Sequence, residues 1–454
     1  MKKILLAVFI LSITPALKAQ DISGDWKGVL EAQGSTLEVA FHIKREGTLY
    51  KTTLDIPKQA LTNWPVETTS FSDSLLALSM PQFKAEYQGK LNAANDIEGY
   101  WAQGGTKFKL KLTRGNIVMN RPQEPKPPFK YHTEEVVFHN GKDKIQLAGT
   151  LSLPKKEGRY PVAIIISGSG PQNRDGDMFG HKPYLLIADE LTKSGIAVLR
   201  FDDRGVGKSG GTVASTSIST TINDVTAALN YLKTRKEVEP KKIGLIGHSI
   251  GGIVAPKLAS ENKDVSWVIM LAGPGMNGDE LMLLQKATYE RMLGIDEKQI
   301  GVGQQLLGGA YKIIRSGLDT SLLKDSLDAY FRRQPEMLMM PEEQRKALIG
   351  QITGSEVLSL LQTTPAEYLK KVKVPVLALN GSKDFQVPAK ANLAAIKTAI
   401  ESGGNKKLKT VELENLNHLF QESKTGNVSE YTEIEQTFSP RALQQMVEWI
   451  KGVT

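Results

Sequence analysis

The stretch Lys241-Lys242-Ile243-Gly244-Leu245-Ile246-Gly247-His248-Ser249-Ile250-Gly251-Gly252 restricts the possible folds more than any other part of the chain. Residues 243–246 read as a buried parallel strand and 253–259 as a helix, so the chain must reverse within a few residues around Ser249. A strand that turns sharply into a helix strains its turning residue, and any large neighbour would collide with adjacent backbone. Gly247 and Gly251 supply the needed room, and Gly252 is small where the helix lies against the sheet. The turn lifts the Ser249 hydroxyl clear of the sheet edge. The helix starting near Ile250 aims backbone N–H groups at whatever that hydroxyl attacks. A bare G-x-S-x-G is common by chance, and it is the flanking strand and helix that give this one weight.

The rest of the chain can be placed around that turn. Residues 134–138 and 145–154 flank Asn140-Gly141, a strong hairpin signal, and predict two antiparallel edge strands. Strand and helix then alternate: strands at 160–167, 197–201, 243–246 and 265–272, helices at 184–194 and 221–236. Alternation of this kind predicts a parallel sheet with right-handed crossovers, whose C-terminal strand ends gather on one edge. Residues 276–362 break the rhythm with helical pattern and no strand, as expected for a helical cap inserted in a catalytic domain over 132–454. The alternation resumes with a strand at 374–380, a helix at 389–402, a strand at 409–413 and a closing helix at 440–451.

Upstream, residues 21–115 form short alternating runs, among them 26–30, 37–43, 75–78 and 108–112, and predict a small all-β barrel or sandwich with Trp26 in its core. Residues 116–131 hold Pro122, Pro125, Pro127 and Pro128 among charged side chains, which favours extended chain and predicts a linker that lets the two folded parts separate. Residues 1–19 carry a basic start and an apolar run too short to span a bilayer, with Ala19 before the expected cut. This reads as a secretory signal and implies an exported, periplasmic or secreted protein with no stable membrane anchor after cleavage.

Composition enters by exclusion. With no cysteine, the chain has no disulfide, lipobox anchor, thiolate metal site or cysteine nucleophile. The net charge of +8 is spread over scattered lysines and arginines without an aromatic-studded basic tract, so a solvated basic surface is expected and no nucleic acid partner.

A serine hydroxyl needs an adjacent base to take its proton and a carboxylate to hold that base in the right tautomer. In the α/β-hydrolase fold, which the strand, elbow and helix resemble, the order along the chain is Ser, Asp or Glu, then His. Only one of the six histidines follows Ser249: His418, in the loop after the last predicted strand. Asp384 lies just past the 374–380 strand, in position to meet it; Glu412, Glu414 and Glu422 are weaker alternatives on the histidine's own strand or loop. His248, inside the elbow, is expected to pack. A tetrahedral oxyanion needs two donors. Ile250 N–H is one, and the loop Ser167-Gly168-Ser169-Gly170-Pro171 supplies the other, with Ser169 preferred and Gly168 or Gly170 open. Residues 172–177 beyond it either touch substrate or solvate a loop. The turn Asp202-Asp203-Arg204-Gly205-Val206-Gly207-Lys208-Ser209 lacks the spacing of a phosphate-binding loop, which argues against a nucleotide.

Gly168-Ser169-Gly170-Pro171, the D-x-R-G-x-G-x-S turn at 202–209, Gly247-His248-Ser249-Ile250-Gly251-Gly252, Gly381-x-x-Asp384-x-x-Val387-Pro388 and Asn417-His418 together resemble bacterial α/β-hydrolase esterases of the serine-aminopeptidase-like group, most of all exported ones with an extra N-terminal β-domain. The resemblance covers about 134–454. It implies hydrolysis through an acyl-enzyme on Ser249, Asp384 and His418, without metal or cofactor, and a structural 202–209 turn in which Asp and Arg pair. The chain departs from the group in having Ser167-Gly168 where His-Gly is usual, which leaves the second oxyanion donor open.

The function expected is a serine carboxylesterase acting on small-molecule esters of short to medium acyl length. Two other readings remain: a serine peptidase or acylaminoacyl hydrolase, and a non-catalytic envelope binding protein on the same fold. The cap is expected to close the pocket with residues from 279–293 and 318–331, and Met276, Met282, Met292, Met337, Met339 and Met340 to make it adaptable. The sequence assigns no oligomeric state.

Overall fold

Short runs of aliphatic residues, buried on both faces, build the sheet that carries the candidate site. In the computed structural model, which describes residues 21–32, 35–59 and 61–454, the chain divides into two units, Met1–Val118 and Met119–Thr454. The secretory signal expected over 1–19 lies outside the described residues.

In the second unit the expected hairpin forms β10 (His132–Asn140) and β11 (Ile145–Leu153), paired from His132↔Leu153 to Asn140↔Ile145. There follow β12 (Tyr160–Ile166), α1 (Pro183–Lys193), β13 (Ala197–Phe201), α2 (Ile218–Lys233), β14 (Val238–His248), α3 (Gly251–Glu261) and β15 (Trp267–Leu271). A helical insertion comes next: α4 (Gly278–Met292), α5 (Glu297–Ile314), α6 (Thr320–Arg332), α7 (Glu342–Ile352) and α8 (Ser355–Leu361). The chain returns to the sheet through α9 (Pro365–Leu369), β16 (Val376–Gly381), α10 (Ala389–Ser402), β17 (Leu408–Leu413) and α11 (Pro440–Val453).

The eight strands lie in the order β10-β11-β13-β12-β14-β15-β16-β17; β11 runs antiparallel to both of its neighbours, β10 and β13, and every pair from β13-β12 to β16-β17 is parallel. This is the α/β-hydrolase fold. Alternate residues of each strand feed two cores. Val162, Ile164 and Ile166 of β12 pack with α2, α3 and α10 on one face, and Ala163 and Ile165 with α1 and α11 on the other. Burying one such aliphatic side chain contributes about 1.5–3 kcal/mol, which offsets the roughly 1–2 kcal/mol of backbone entropy lost per ordered residue.

Two boundaries differ from the sequence reading for local reasons. Helix α2 starts a turn before residue 221 because Ser217 caps it, accepting from Thr220 N–H while the Thr220 hydroxyl accepts from Ser217 N–H. Strand β14 starts before residue 243 because Val238 pairs with Tyr160 ahead of a register shift.

The first unit holds β1 (Gly24–Ala32), β2 (Ser35–Glu46), β3 (Leu49–Ile56), β4 (Leu61–Pro65), β5 (Thr68–Ser72), β6 (Leu75–Met80), β7 (Ala85–Leu91), β8 (Ile97–Gln103) and β9 (Thr106–Arg114). They form one antiparallel sheet ordered β4-β3-β2-β1-β9-β8-β7-β6-β5. It curls until its two ends approach, with the Thr69 hydroxyl of β5 donating to Thr52 of β3 at 2.9 Å. Trp26, Phe41, Tyr87 and Trp101 fill the interior, and Trp26 Nε1 donates to the Ile22 carbonyl at 2.8 Å.

The linker expected over 116–131 is corrected: from Met119 onward the chain belongs to the second unit. Arg121 donates to the carbonyls of Gly180, Thr432 and Ile434, and Gln123 exchanges hydrogen bonds with Thr437 and Phe438. These polar side chains find fixed backbone partners, so the proline-rich chain is held as a strap. Among the described residues no helix is long and apolar enough to cross a membrane.

Candidate active site

Ser249 sits where β14 breaks into α3, at φ 53°, a left-handed conformation that costs a residue other than glycine about 1–3 kcal/mol. The turn is held by Ser249 N–H donating to Leu271 O at 2.9 Å and by Gly252 N–H donating to Ser249 O at 2.8 Å. Its tightness explains the glycines: a Cβ on Gly247 would stand 1.9 Å from Gly251 O, and one on Gly251 would stand 2.4 Å from Ile166 O.

Asp384 and His418 come together from two loops at the C-terminal edge of the sheet. Asp384, past β16, accepts from the N–H groups of Gln386 and Val387 on Oδ1, both at 2.9 Å, which leaves Oδ2 to accept from His418 Nδ1 at 2.8 Å. His418 lies in the loop after β17, where Asn417 Oδ1 accepts from the N–H groups of Leu419 and Gln421. Both members of the pair are buried. Glu412, Glu414 and Glu422 are exposed, and Glu422 pairs instead with Arg441 at 2.7 Å.

The loop after β12 is pinned from below. Asp203 accepts from the Ser167 hydroxyl at 2.6 Å and from Gln172 N–H at 3.0 Å. Burial pushes its pKa up to about 7 against those two donors. Gly168 N–H donates to the Tyr184 hydroxyl and Gly170 N–H to the Glu356 carboxylate. With both flanking N–H groups engaged, Ser169 is the loop residue left beside Ser249 and Ile250 in the lining of the pocket.

Two expectations about neighbouring segments are corrected. Asp202 and Arg204 do not pair with each other: Asp202 binds Arg174 at 2.8 Å, while Arg204 binds Asp224 and Asp143 at 2.8 and 2.7 Å. Residues 172–177 are anchored through Arg174, which also reaches Glu135, and through the ion pair of Asp175 with Arg200, so this loop has structural work.

A cavity of about 170 Å³ opens over Ser249, lined by Leu281, Met282 and Gln285 of α4, by Glu356, Val357 and Leu360 of α8, and by Gln386 and Val387 beside Asp384. The wall is mostly apolar with a single carboxylate. Of the six methionines expected here only Met282 lines it. Met337 is buried in the helical insertion's own core, and Met339 is 93 % exposed. Residues 318–331 are corrected likewise, since Leu323, Leu327 and Phe331 of α6 face that same core. Glu356, Gln285 and Gln386 escaped the sequence reading, because no local pattern marks which face of a cap helix looks toward a serine distant in sequence.

Residues 181–422, just over half of the chain, match the family described as serine aminopeptidase, S33. Esterase EstD of Thermotoga maritima is 27% identical over 273 residues, covering 60% of this chain and 58% of EstD, so the chain spans less than two thirds of that relative's length. An uncharacterized protein of Escherichia coli, YfhR, is 32% identical over 127 residues, 28% of this chain and 41% of YfhR. Among solved structures, a Pyrococcus furiosus esterase, Pf2001, superposes with a TM-score of 0.42 at 18% identity, covering 71% of this chain and 93% of the esterase. The hypothetical protein PA2218 of Pseudomonas aeruginosa superposes with a TM-score of 0.43 at 18% identity, covering 75% of this chain and all of PA2218.

Proposed function

The chain belongs to the serine aminopeptidase S33 family of α/β-hydrolases, and from that premise we propose that it is an exported serine carboxylesterase acting on small esters of short to medium acyl length. The observation that carries the reading is the strained Ser249 at the floor of a small, mostly apolar cavity, on the same sheet edge as the bonded Asp384–His418 pair. Likeness to an esterase in sequence supports it.

In this reading Ser249 Oγ attacks the ester carbonyl carbon as its proton passes to His418 Nε2. Asp384 holds the Nδ1–H tautomer and faces the imidazolium that forms. The carbonyl oxygen, now an oxyanion, accepts from Ile250 N–H and Ser169 N–H. Collapse breaks the bond to the alcohol oxygen, which leaves with the proton from His418, and the acyl group stays on Ser249. Water then attacks the acyl-enzyme, giving its proton to His418, and the acid departs as Ser249 recovers its own. The test is labelling by a fluorophosphonate together with hydrolysis of p-nitrophenyl esters. A protein that hydrolyses esters but takes no label at Ser249 is not this enzyme. The N-terminal sequence of the exported protein tests the signal: it should begin after Ala19.

One observation favours the peptidase as a second reading. Glu356 is the single carboxylate in the cavity wall, and burial raises its pKa above the ordinary value. An ionised carboxylate so placed is compensated by a cation, and a free amino terminus is one. Aminoacyl anilides cleaved faster than every ester, with the preference abolished in Glu356→Gln, would establish that reading over the first.

A further inference from the structure

Two buried polar side chains, Tyr184 of α1 and His248 of the elbow, have no role in the steps above. Both lie between the loops that those steps use. Gly168 N–H donates to Tyr184 Oη at 3.2 Å, Tyr184 Oη lies 3.2 Å from His248 Nδ1, and His248 Nε2 lies 3.0 Å from the backbone carbonyl of His418.

The donors and acceptors admit one arrangement. The His418 carbonyl can only accept, so His248 Nε2 carries the hydrogen. Burial pushes His248 down to about 3, with the neighbouring His418 adding to the effect, so the ring is neutral and Nδ1 is an acceptor. The Tyr184 O–H must therefore donate to Nδ1, which leaves its oxygen to accept from Gly168 N–H. Every group is satisfied, and the chain runs without a gap from the oxyanion loop, through the residue before Ser249, to the backbone of His418.

The three loops reach this point from β12, β14 and β17, and each holds one functional part. Asp384 fixes the His418 ring but not its main chain. Its carbonyl is held by His248. Ser169 lies in the loop after β12, between Gly168, whose N–H is tied to Tyr184, and Gly170, whose N–H is tied to Glu356.

We propose that Tyr184 and His248 are positioning residues that lock the oxyanion loop, the nucleophile turn and the base loop into one register through this hydrogen-bonded chain. The proposal rests on the serine hydrolase reading and deepens it. It also assigns to the variable residue of the G-x-S-x-G turn a part that volume alone would not need.

Packing and hydrogen bonding predict opposite rankings of variants. His248→Gln offers one acceptor and one donor in place of the two ring nitrogens, whereas His248→Phe keeps an aromatic ring of similar size and neither polar group. For His248→Phe and for Tyr184→Phe, kcat on a p-nitrophenyl ester should fall about tenfold to a hundredfold, as expected for a misplaced catalytic group, with KM within about twofold. His248→Gln should recover most of that loss. The Tyr184→Phe and His248→Phe double variant should be little worse than either single one, because one broken link already opens the chain.

Full kcat in Tyr184→Phe, or His248→Phe more active than His248→Gln, would overturn the proposal. If His248→Phe does not fold by circular dichroism, Tyr184→Phe decides alone on the same kcat criterion. Ser249→Ala run in parallel separates the two levels. Unchanged activity there removes the serine reading and the positioning role with it, while an inert Ser249→Ala beside a fully active Tyr184→Phe removes only the latter.

Discussion

Ser249 keeps a left-handed backbone conformation in a turn so tight that Gly247 and Gly251 could not carry a Cβ without meeting neighbouring backbone. Replacing the hydroxyl should therefore leave the fold intact and remove the chemistry: Ser249→Ala is expected to lose on the order of 10³-fold or more in kcat with an unchanged circular dichroism spectrum. His418→Ala should cost nearly as much, and the double variant little more than either, since the groups act as a unit. Fully additive losses would give His418 another task. Gly247→Ala, in contrast, forces a methyl group to within 1.9 Å of the Gly251 carbonyl. It should destabilise by roughly 3 kcal/mol or more, read as a lower urea midpoint. Ser249 and its glycines are legible from sequence because the constraint is local, a spacing of glycines around one turn, whereas His418 is singled out by being the one histidine that follows Ser249. Partner choice is not legible in the same way. Asp202 and Arg204 stand close together in sequence yet pair elsewhere, because Arg174, Asp143 and Asp224 arrive from distant segments with better geometry.

The helical insertion shows the same division between pattern and placement. Its helices are announced by the helical pattern over 276–362, and in the structure Asp296 and Asp319 cap two of them, each accepting from two N–H groups of the first turn. Which face meets the cavity depends on how α4 and α8 pack, which is a tertiary fact. Hence Met282 is in the wall and Met339 in solvent, although both look alike in sequence. The strand and helix alternation of the second unit is easier to read, because the central strands β12, β13, β15 and β16 are short, mainly apolar runs. On the proposed reading, the cavity of about 170 Å³ would hold a small acyl group. The ratio of kcat/KM along a series of p-nitrophenyl esters should peak at short to medium chains, and Val357→Phe on α8 should move the peak to shorter ones by filling the wall. A maximum at long chains in the parent protein, or no movement in Val357→Phe, would mean that the acyl group lies elsewhere.

Each unit carries a polar tie that a sequence does not advertise. In the first, His42, the one histidine within 21–118, lies 2.7 Å from Asp25 and 3.0 Å from Asp55, linking β1, β2 and β3. Burial opposes a charge there, but the hydrogen bonds to the two carboxylates outweigh it and raise the pKa above 6.5. A raised histidine stabilises the fold fully below its unfolded value and loses that contribution as pH rises through the folded one. Hydrogen exchange in these three strands should thus be slowest below pH 6.5, after correction for intrinsic rates, and His42→Gln should flatten the dependence. In the second unit the tie is the strap. Arg121 reaches Thr432 O at 2.8 Å and Ile434 O at 3.0 Å, Gln123 bonds Thr437 and Phe438, and this same segment continues to Ser439, whose N–H donates to the Phe420 carbonyl two residues past His418. Prolines among charges look like a linker because composition reports the chain's stiffness and not its hydrogen bonds. A chain beginning at Met119 is therefore expected to match the full protein in kcat and thermal midpoint for the second unit. One beginning at Tyr131 lacks Arg121 and Gln123 and should be destabilised by about 3 kcal/mol, the order of a few charged hydrogen bonds. Arg121→Ala in the full chain should reproduce much of that loss. Equal midpoints and equal kcat for the Met119 and Tyr131 chains would show that the 431–438 segment holds its place, and the base loop beside it, without the strap.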